Sequence, residues 1–316
     1  MEIGPILRAM IRNKLGAVLI TLQIAFTMTV VINAIFIINE RSNLMARPSG
    51  LDEANTFYLS SVGYGDEFNG VVTVRDDLER LRQTPGVVDA TVTNAIPVSG
   101  SGSNAGVRLV DDEAAATSFA AYYRVDEHAI ETMDLDLVAG RNFAAEDVQW
   151  RAGSEAITTR ELIISQQLAN NLFPDREPNG VLGETMFING SEAHQIIGVV
   201  EQLQGPWPSN SSVELSMLQP NSSVGSSATY LIRTEPGQRD RLMAEVEEML
   251  VASNSNRIIR DLMSLEQTRE GSYRIDSAMS TILWAIIITL IFITSMGIVG
   301  MAVFGINRRR KQIGTR

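Results

Sequence analysis

The sequence predicts a membrane protein in which two transmembrane α-helices flank an α+β extracytoplasmic domain. Two stretches, residues 15–39 and 277–307, carry no charged side chain and consist mostly of apolar residues. About 20 such residues suffice to cross the hydrocarbon core of a bilayer. The long stretch between them is polar and alternates strand and helix patterns, which predicts a folded domain held between two membrane helices.

Positive charges determine the predicted orientation. Arg8, Arg12 and Lys14 precede the first apolar stretch, and four consecutive basic residues from Arg308 follow the second. The cytoplasmic flanks of membrane helices are enriched in Lys and Arg, so both ends are predicted to be cytoplasmic and residues 40–276 extracytoplasmic. The first apolar stretch exceeds the roughly 7–15 residues of a signal-peptide core, which favours a retained anchor.

Two short cytoplasmic segments are predicted. Residues 1–14 have an apolar helical face, typical of an amphipathic helix at the inner membrane surface. That face consists of Ile3, Ile6, Leu7, Met10 and Ile11. The alternative, an inward extension of the first membrane helix, stays open. Residues 308–316 are predicted to form a basic cytoplasmic turn.

The central stretch is acidic and lacks cysteine. Between the apolar segments, 36 acidic residues face 18 arginines. Coulomb repulsion from this excess disfavours binding to nucleic acid or to an anionic membrane surface. Without cysteine, a disulfide framework and a zinc–thiolate site are excluded.

Residues 40–100 and 228–276 are predicted to build one membrane-proximal layer with a split βαβ, ferredoxin-like fold. Each segment contributes a strand, an amphipathic helix and a second strand, so that the helices cover one face of a sheet. The predicted strands are residues 56–62, 87–94, 228–233 and 257–262. The predicted helices are residues 74–84, ended by Pro85 and Gly86, and 238–252.

Residues 101–227 are predicted to form an inserted, mainly β subdomain, bounded by the Gly/Ser-rich stretches 99–103 and 221–227. Its predicted strands are residues 120–125, 161–165, 185–188, 194–200 and 213–218, and its predicted helices are 127–133 and 166–173. Trp207 lies in a rigid Gly-Pro-Trp-Pro loop. It is expected to pack on its own domain, and the alternative is that it anchors a partner.

No catalytic constellation is recognisable. A nucleotide-binding P-loop needs a lysine after G-x-x-x-x-G, and neither lysine of the chain has that context. His128 is predicted to lie on a solvated helix face, and His194 is a weak metal-binding signal. Paired carboxylates are predicted to be solubilising surface charges, at Asp76-Asp77, 111–113 and 247–248. The chain is therefore predicted not to be an enzyme and to hold neither cofactor nor metal.

Small residues recur in both predicted membrane helices, as they do where helices approach closely. They are Ala17, Thr21, Ala25 and Thr29 in the first, and Gly297, Gly300 and Gly305 in the second. A helix–helix interface is one interpretation. Chance is the other, because small residues are common in membrane spans.

Five segments resemble those of the permease subunits of MacB/FtsX-type ABC transporters, in the order that this family has. They are residues 81–87 with Pro85 and Gly86, 137–143 with Gly140, Arg141 and Phe143 followed by Asp147, 161–173 followed by Gly183, 196–200 with Gly198, and 309–316. The resemblance covers nearly the whole chain. It implies a protein of the bacterial inner membrane that carries a MacB-like periplasmic core domain. Arg141 could hold a neighbouring carbonyl or carboxylate, or be a plain surface arginine.

The resemblance implies partners and a mechanism. Such permeases associate with a MacB- or LolD-like ABC ATPase, act as homodimers or heterodimers, and can engage a periplasmic adaptor. ATP hydrolysis then drives conformational change of the periplasmic domain for efflux, export or lipoprotein or peptide handling. The implied ATPase contact consists of Arg308, Arg309, Arg310, Lys311, Gln312, Ile313 and Gly314.

The chain departs from the family pattern in two respects. Family members have two further membrane helices after the basic turn, so this chain is expected to be the first part of a longer permease or a truncated paralogue. Gln312 also stands where the family has Glu. The rival hypothesis is a membrane-anchored extracytoplasmic sensor or ligand-binding module, which shares the two-helix topology.

Overall fold

The computed structural model describes residues 14–112, 114–152, 158–190, 192–210 and 212–313. The chain divides into two compact units. One, here called the central domain, is Pro48–Tyr273, and the other, here called the helix pair, comprises Met1–Arg47 and Arg274–Arg316. The amphipathic helix was predicted for residues 1–14, and residues 1–13 lie outside the described part.

The helices are α1 (Lys14–Met45), α2 (Gly70–Arg82), α3 (Ala129–Met133), α4 (Gln166–Leu172), α5 (Arg239–Ser253), α6 (Leu265–Ser272) and α7 (Arg274–Ile313). The strands are β1 (Thr56–Gly63), β2 (Val87–Thr93), β3 (Asn104–Arg108), β4 (Ser118–Arg124), β5 (Leu137–Gly140), β6 (Gln149–Ala152), β7 (Glu161–Ser165), β8 (Thr185–Ile188), β9 (Glu192–Val200), β10 (Ser216–Gln219), β11 (Asn221–Val224), β12 (Ser227–Thr234) and β13 (Arg257–Ser264).

The helix pair consists of α1 and α7. Both are long and apolar enough to cross a membrane, over Gly16–Met45 and Arg274–Met301. The predicted turn after the second span is wrong as far as Ile313, because α7 continues through it. Residues 308–313 contain neither Gly nor Pro, so no residue there favours a helix end.

The ferredoxin-like layer is confirmed. Strands β13, β1, β12 and β2 lie side by side in that order, and all three pairings are antiparallel. One face of this sheet packs on α2 and α5 through a buried core that includes Phe57, Leu78 and Leu242. Asn69 starts α2 by accepting a hydrogen bond from the Val72 backbone N–H at 3.2 Å, which satisfies one of the free donors of the first turn.

The inserted region forms a closed barrel. Strands β9, β7, β10, β4, β3 and β8 follow one another around it, and β8 pairs back with β9. Strand β5 adds to β9 beyond the end of β8. Closure removes the unpaired strand edges at which chains can associate. A second core joins barrel residues such as Ile163 and Leu218 to Leu231 and Leu265 of the layer.

Four short strands were not predicted, namely β3, β5, β6 and β11. Strand β11 lies within the Gly/Ser-rich stretch that was expected to be a boundary, and it pairs in parallel with β6. Asn221 and Ser222 of β11 are buried. Backbone pairing, rather than side-chain hydrophobicity, therefore makes this segment a strand.

Candidate functional site

The two helices of the helix pair meet along one seam. Covered positions recur on α7 at alternate steps of four and three residues, at Asp276, Ser280, Leu283, Ile287, Leu290, Thr294, Gly297 and Met301. A 3.5-residue repeat is typical of helices that pack side by side as a left-handed coiled coil. The facing core of α1 includes Ala34 and Ile38.

Polar side chains mark three levels of this seam. The Gln23 amide donates to the Ile293 carbonyl oxygen at 3.4 Å, and the hydroxyls of Thr27 and Thr294 lie 2.7 Å apart. Arg41 donates to Asp276 near the other end of the helices. Hydrogen bonds between membrane helices add to packing because lipid offers no competing partner.

The predicted small-residue faces coincide with the seam only in part. A Cβ atom on Gly297 would lie 2.7 Å from the Gln23 amide, so this glycine accommodates Gln23. Gly300 has no atom of the described residues within 4 Å of its Cβ position, and Thr21 and Ala25 are exposed while Ala17 is half-buried. The exposure of Thr21 and Ala25 places them off the seam with α7, and contact of the small-residue faces with another helix stays a prediction. The side chains beyond Val303, which include Gly305, lie outside the described part.

The predicted ATPase contact lies at the end of α7. Arg308–Ile313 are helical there. Their side chains, and Gly314 as a whole, lie outside the described part, so this contact stays a prediction.

Gly140 and Gly198 face each other across the pairing of β5 and β9. Gly140 has φ +80°, and a Cβ atom there would overlap the Ile197 carbonyl oxygen. A Cβ atom on Gly198 would lie 2.7 Å from the Arg141 carbonyl oxygen. Two backbones thus approach more closely than any side chain would permit.

Arg141, the residue after Gly140, joins two carboxylates from different segments. It donates to Asp147 at 2.7 Å and to both oxygens of Glu161 at 2.9 Å. Burial raises the pKa of Asp147, but the hydrogen bonds from the Ala144 backbone and from Arg141 outweigh it and hold that pKa below its usual value. Of the two interpretations of Arg141, the structure agrees with the one in which its side chain binds a neighbouring carboxylate.

Two further motif positions have structural roles. Phe143 is buried in the core between barrel and layer. Gly86 has φ +94° in the turn between α2 and β2, just after Pro85, a conformation that glycine adopts without strain.

The prediction of a solubilising charge at Asp77 is wrong. Its side chain is buried and forms a bidentate ion pair with Arg257, while the Tyr230 hydroxyl donates to it at 2.6 Å. Burial, and then the Asp77 charge, raise the pKa of Tyr230 well above its ordinary value, which keeps this donor protonated. These partners lie more than 150 residues away in the chain, so no local pattern could have revealed them.

The prediction of a solvated His128 is also wrong. Its Nδ1 donates to Asp89 at 2.9 Å. Arg82 donates to the neighbouring Asp126 at 2.6 Å, and Thr91 donates to the other oxygen of Asp126, also at 2.6 Å. This cluster connects α2 and β2 of the layer to the segment before α3. The hydrogen bond to Asp89 raises the pKa of His128, and burial raises the pKa of Asp126 despite Arg82.

His194 is buried on β9, and its Nδ1 donates to the Glu192 carbonyl oxygen at 3.0 Å. Burial lowers its pKa. In the described part of the chain, no group of three or more His, Asp or Glu side chains could hold a metal ion.

Trp207 is half-buried and lines a cleft of about 420 Å³ together with Tyr58, Met263 and Ser272. It therefore packs on its own domain, as expected. A role as a partner anchor stays a prediction.

The family model of the MacB-like periplasmic core domain matches residues 16–249. The chain belongs to this family. It is an ABC transporter permease-like periplasmic domain carried between two transmembrane helices.

One curated relative is an uncharacterized ABC transporter permease, YknZ, of Bacillus subtilis (strain 168). It is 26% identical over 198 residues, which cover 61% of this chain and 47% of the relative. The chain thus spans about half the length of the curated relative it matches.

Two solved structures are similar. The periplasmic region of MacB from Actinobacillus actinomycetemcomitans is 15% identical, with a TM-score of 0.44, and the match covers 72% of this chain and 97% of that one. The extracellular domain of the noncanonic ABC-type transporter YknZ from Gram-positive bacteria is 16% identical, with a TM-score of 0.41, and the match covers 66% of this chain and 100% of that one.

Proposed function

We propose that this chain is the part of an inner-membrane ABC transporter permease that transmits the work of a partner ATPase to an extracytoplasmic domain. The observation that carries the proposal is the family match, which extends from the first membrane helix to α5. In this proposal the ATPase binds the cytoplasmic end of α7, and ATP binding and hydrolysis shift the helices and rearrange the central domain.

The character of the helices supports transmission of force rather than passage of ions. Residues 16–39 and 277–307 contain no ionisable side chain, whereas ion and proton pathways through membranes depend on such residues. Three polar contacts and a regular repeat hold α1 against α7. In this proposal the two helices move as one body when the cytoplasmic end of α7 is displaced.

Co-purification with the ABC ATPase encoded in the same operon tests the proposal. We expect the full-length protein to retain this ATPase in detergent. Reversing three charges, Arg308→Glu, Arg309→Glu and Arg310→Glu, is expected to abolish retention. The matched control reverses three exposed arginines of the central domain, Arg75, Arg80 and Arg260, and is expected to retain the ATPase. A full-length protein that never associates with the ATPase would contradict the proposal.

Orientation is tested separately, and residues 1–316 contain no cysteine that would compete with a single introduced one for labelling. A membrane-impermeant maleimide added to spheroplasts should label Glu235→Cys. It should label Gln312→Cys only after permeabilisation. The reverse pattern would place the central domain in the cytoplasm and exclude the proposed mechanism.

A further inference from the structure

A small cavity lies where the ferredoxin-like layer meets strands β4 and β11. Its volume is about 240 Å³, and its walls include Thr93 and Thr229 of the layer, Arg124 of β4 and Ser222 of β11. The other described residues that line the cavity are uncharged, so Arg124 is the single charged group among them. The charge at this site is therefore opposite to the strongly acidic character of the domain.

Arg124 has no counter-ion in the described part of the chain. Its guanidinium stacks on the Tyr122 ring, 5.2 Å from the centroid, and its Nε is buried without a hydrogen-bond partner. Other half-buried arginines of the domain, such as Arg82 and Arg233, have carboxylate partners. A cation held partly away from water without a partner is costly. An anion from outside the chain would remove that cost.

Ser222 supplies a second unused group at the same cavity. It is 3% exposed, and its hydroxyl has no hydrogen-bond partner among the described residues. The hydroxyls of two neighbouring threonines are already engaged, since Thr93 donates to the Ala95 carbonyl oxygen at 3.0 Å and the Thr229 hydroxyl lies 3.3 Å from the Ser60 hydroxyl. Buried polar groups are nearly always paired, so two unpaired donors bordering one cavity make it a candidate site for an acceptor from outside the chain.

We propose that this cavity binds a compact oxyanion, the phosphate or carboxylate head group of a small ligand, with Arg124 and Ser222 as donors. A guanidinium presents a planar fork that matches two oxygens of such a group. The volume lies below the roughly 300–1,000 Å³ of pockets that enclose whole drug-sized ligands, which suits a head group. The proposal does not depend on the proposed transport function.

Thermal unfolding of the full chain in detergent tests the site. Inorganic phosphate and acetate are titrated in separate arms at constant ionic strength, with chloride as the balancing anion. A ligand that binds only the folded state raises the unfolding midpoint, and we expect a saturable rise of about 3 °C in at least one arm. The arm that responds identifies the head group. No saturable rise in either arm overturns the proposal.

Variants assign the response to the cavity. Arg124→Gln should abolish it, and Ser222→Ala should weaken the apparent affinity about tenfold. Arg176→Gln is the matched control, because Arg176 stacks on Phe173 at 5.4 Å and does not line the cavity. If Arg124→Gln does not fold, Arg124→Lys replaces it, which keeps the charge but loses the fork and should bind at least tenfold more weakly. A response in Arg124→Gln or Arg124→Lys equal to that of the unmodified chain overturns the proposal.

Discussion

Asp77 of α2 and Arg257 of β13 form an ion pair inside the ferredoxin-like layer, although 180 residues separate them in the chain. Both side chains are at most 2% exposed. The second hydrogen bond of the pair measures 2.9 Å, and the Tyr230 hydroxyl completes the coordination of Asp77. The pair therefore connects the first βαβ unit of the domain to the last.

Replacing Asp77 with Ala should destabilise the central domain by about 3–5 kcal/mol, because it leaves the Arg257 charge buried without a partner. Urea unfolding of the full chain in detergent micelles measures the change. Arg241→Gln is the control, since Arg241 pairs with Glu245 on an exposed helix face and such pairs contribute only about 0–1 kcal/mol. Similar losses in the two variants would contradict the role of the buried pair.

Gly140 is expected to tolerate no side chain, whereas Gly65 should tolerate one at moderate cost. Both have positive φ, +80° and +86°, but only Gly140 has backbone atoms at its Cβ position. Gly65→Ala should therefore lose about 1–2 kcal/mol from backbone strain alone. Gly140→Ala should lose a further 1–3 kcal/mol or so, because β5 and β9 must move apart. Thermal unfolding of the two variants checks the difference, and equal losses would show that the close approach is unimportant.

The contributions of the two histidines to the free energy of unfolding should change with pH in opposite directions. Asp89 raises the pKa of His128 in the folded state. The contribution of His128 to the free energy of unfolding is therefore fully present below the unfolded pKa of about 6.5 and is lost as pH rises through the folded pKa. Burial lowers the pKa of His194 in the folded state. The contribution of His194 to the free energy of unfolding is therefore present above about pH 6.5 and is lost as pH falls through the folded pKa.

Unfolding free energies of the unmodified chain, His128→Gln and His194→Gln between about pH 5 and 8 measure these contributions. The difference between unmodified chain and His128→Gln should shrink as pH rises, and the difference for His194→Gln should grow. The other charged groups around His128 are Arg82, Asp126 and Glu127, and they are unchanged in both variants. Two differences of the same slope would contradict the assigned pKa directions.

The ferredoxin-like layer could be predicted from the sequence because its elements are long and strongly patterned. Strand β1 has eight residues and α5 has fifteen, with apolar positions at regular spacing. Strands β5, β6 and β11 have four residues each and were missed, whereas the equally short β8 was predicted, so length alone does not decide whether a strand can be recognised. Barrel closure is equally invisible, because it depends on β8 pairing with both β3 and β9.

Some of the site residues could likewise be identified from the sequence and others could not. Gly140 and Arg141 could be identified because they belong to one short motif whose backbone conformation is a local property. The burial of Asp77 could not be predicted, because in its own helix it stands beside Asp76 and resembles a solvated charge. Only the fold brings Tyr230 and Arg257 to it.

Cysteines at Thr27 and Thr294 should form a disulfide across the α1–α7 seam. The two hydroxyl oxygens lie 2.7 Å apart, which places the side chains within the range that a disulfide bridges. Thr29→Cys with Thr294→Cys is the matched control, because Thr29 lies two residues away on an exposed face of α1. Mild oxidation in native membranes, followed by electrophoresis of protein cleaved within the central domain, should link the fragments only in the first pair. Cross-linking of equal extent in both pairs would mean that α1 rotates freely against α7, and the seam would then be unable to transmit a displacement between its two ends.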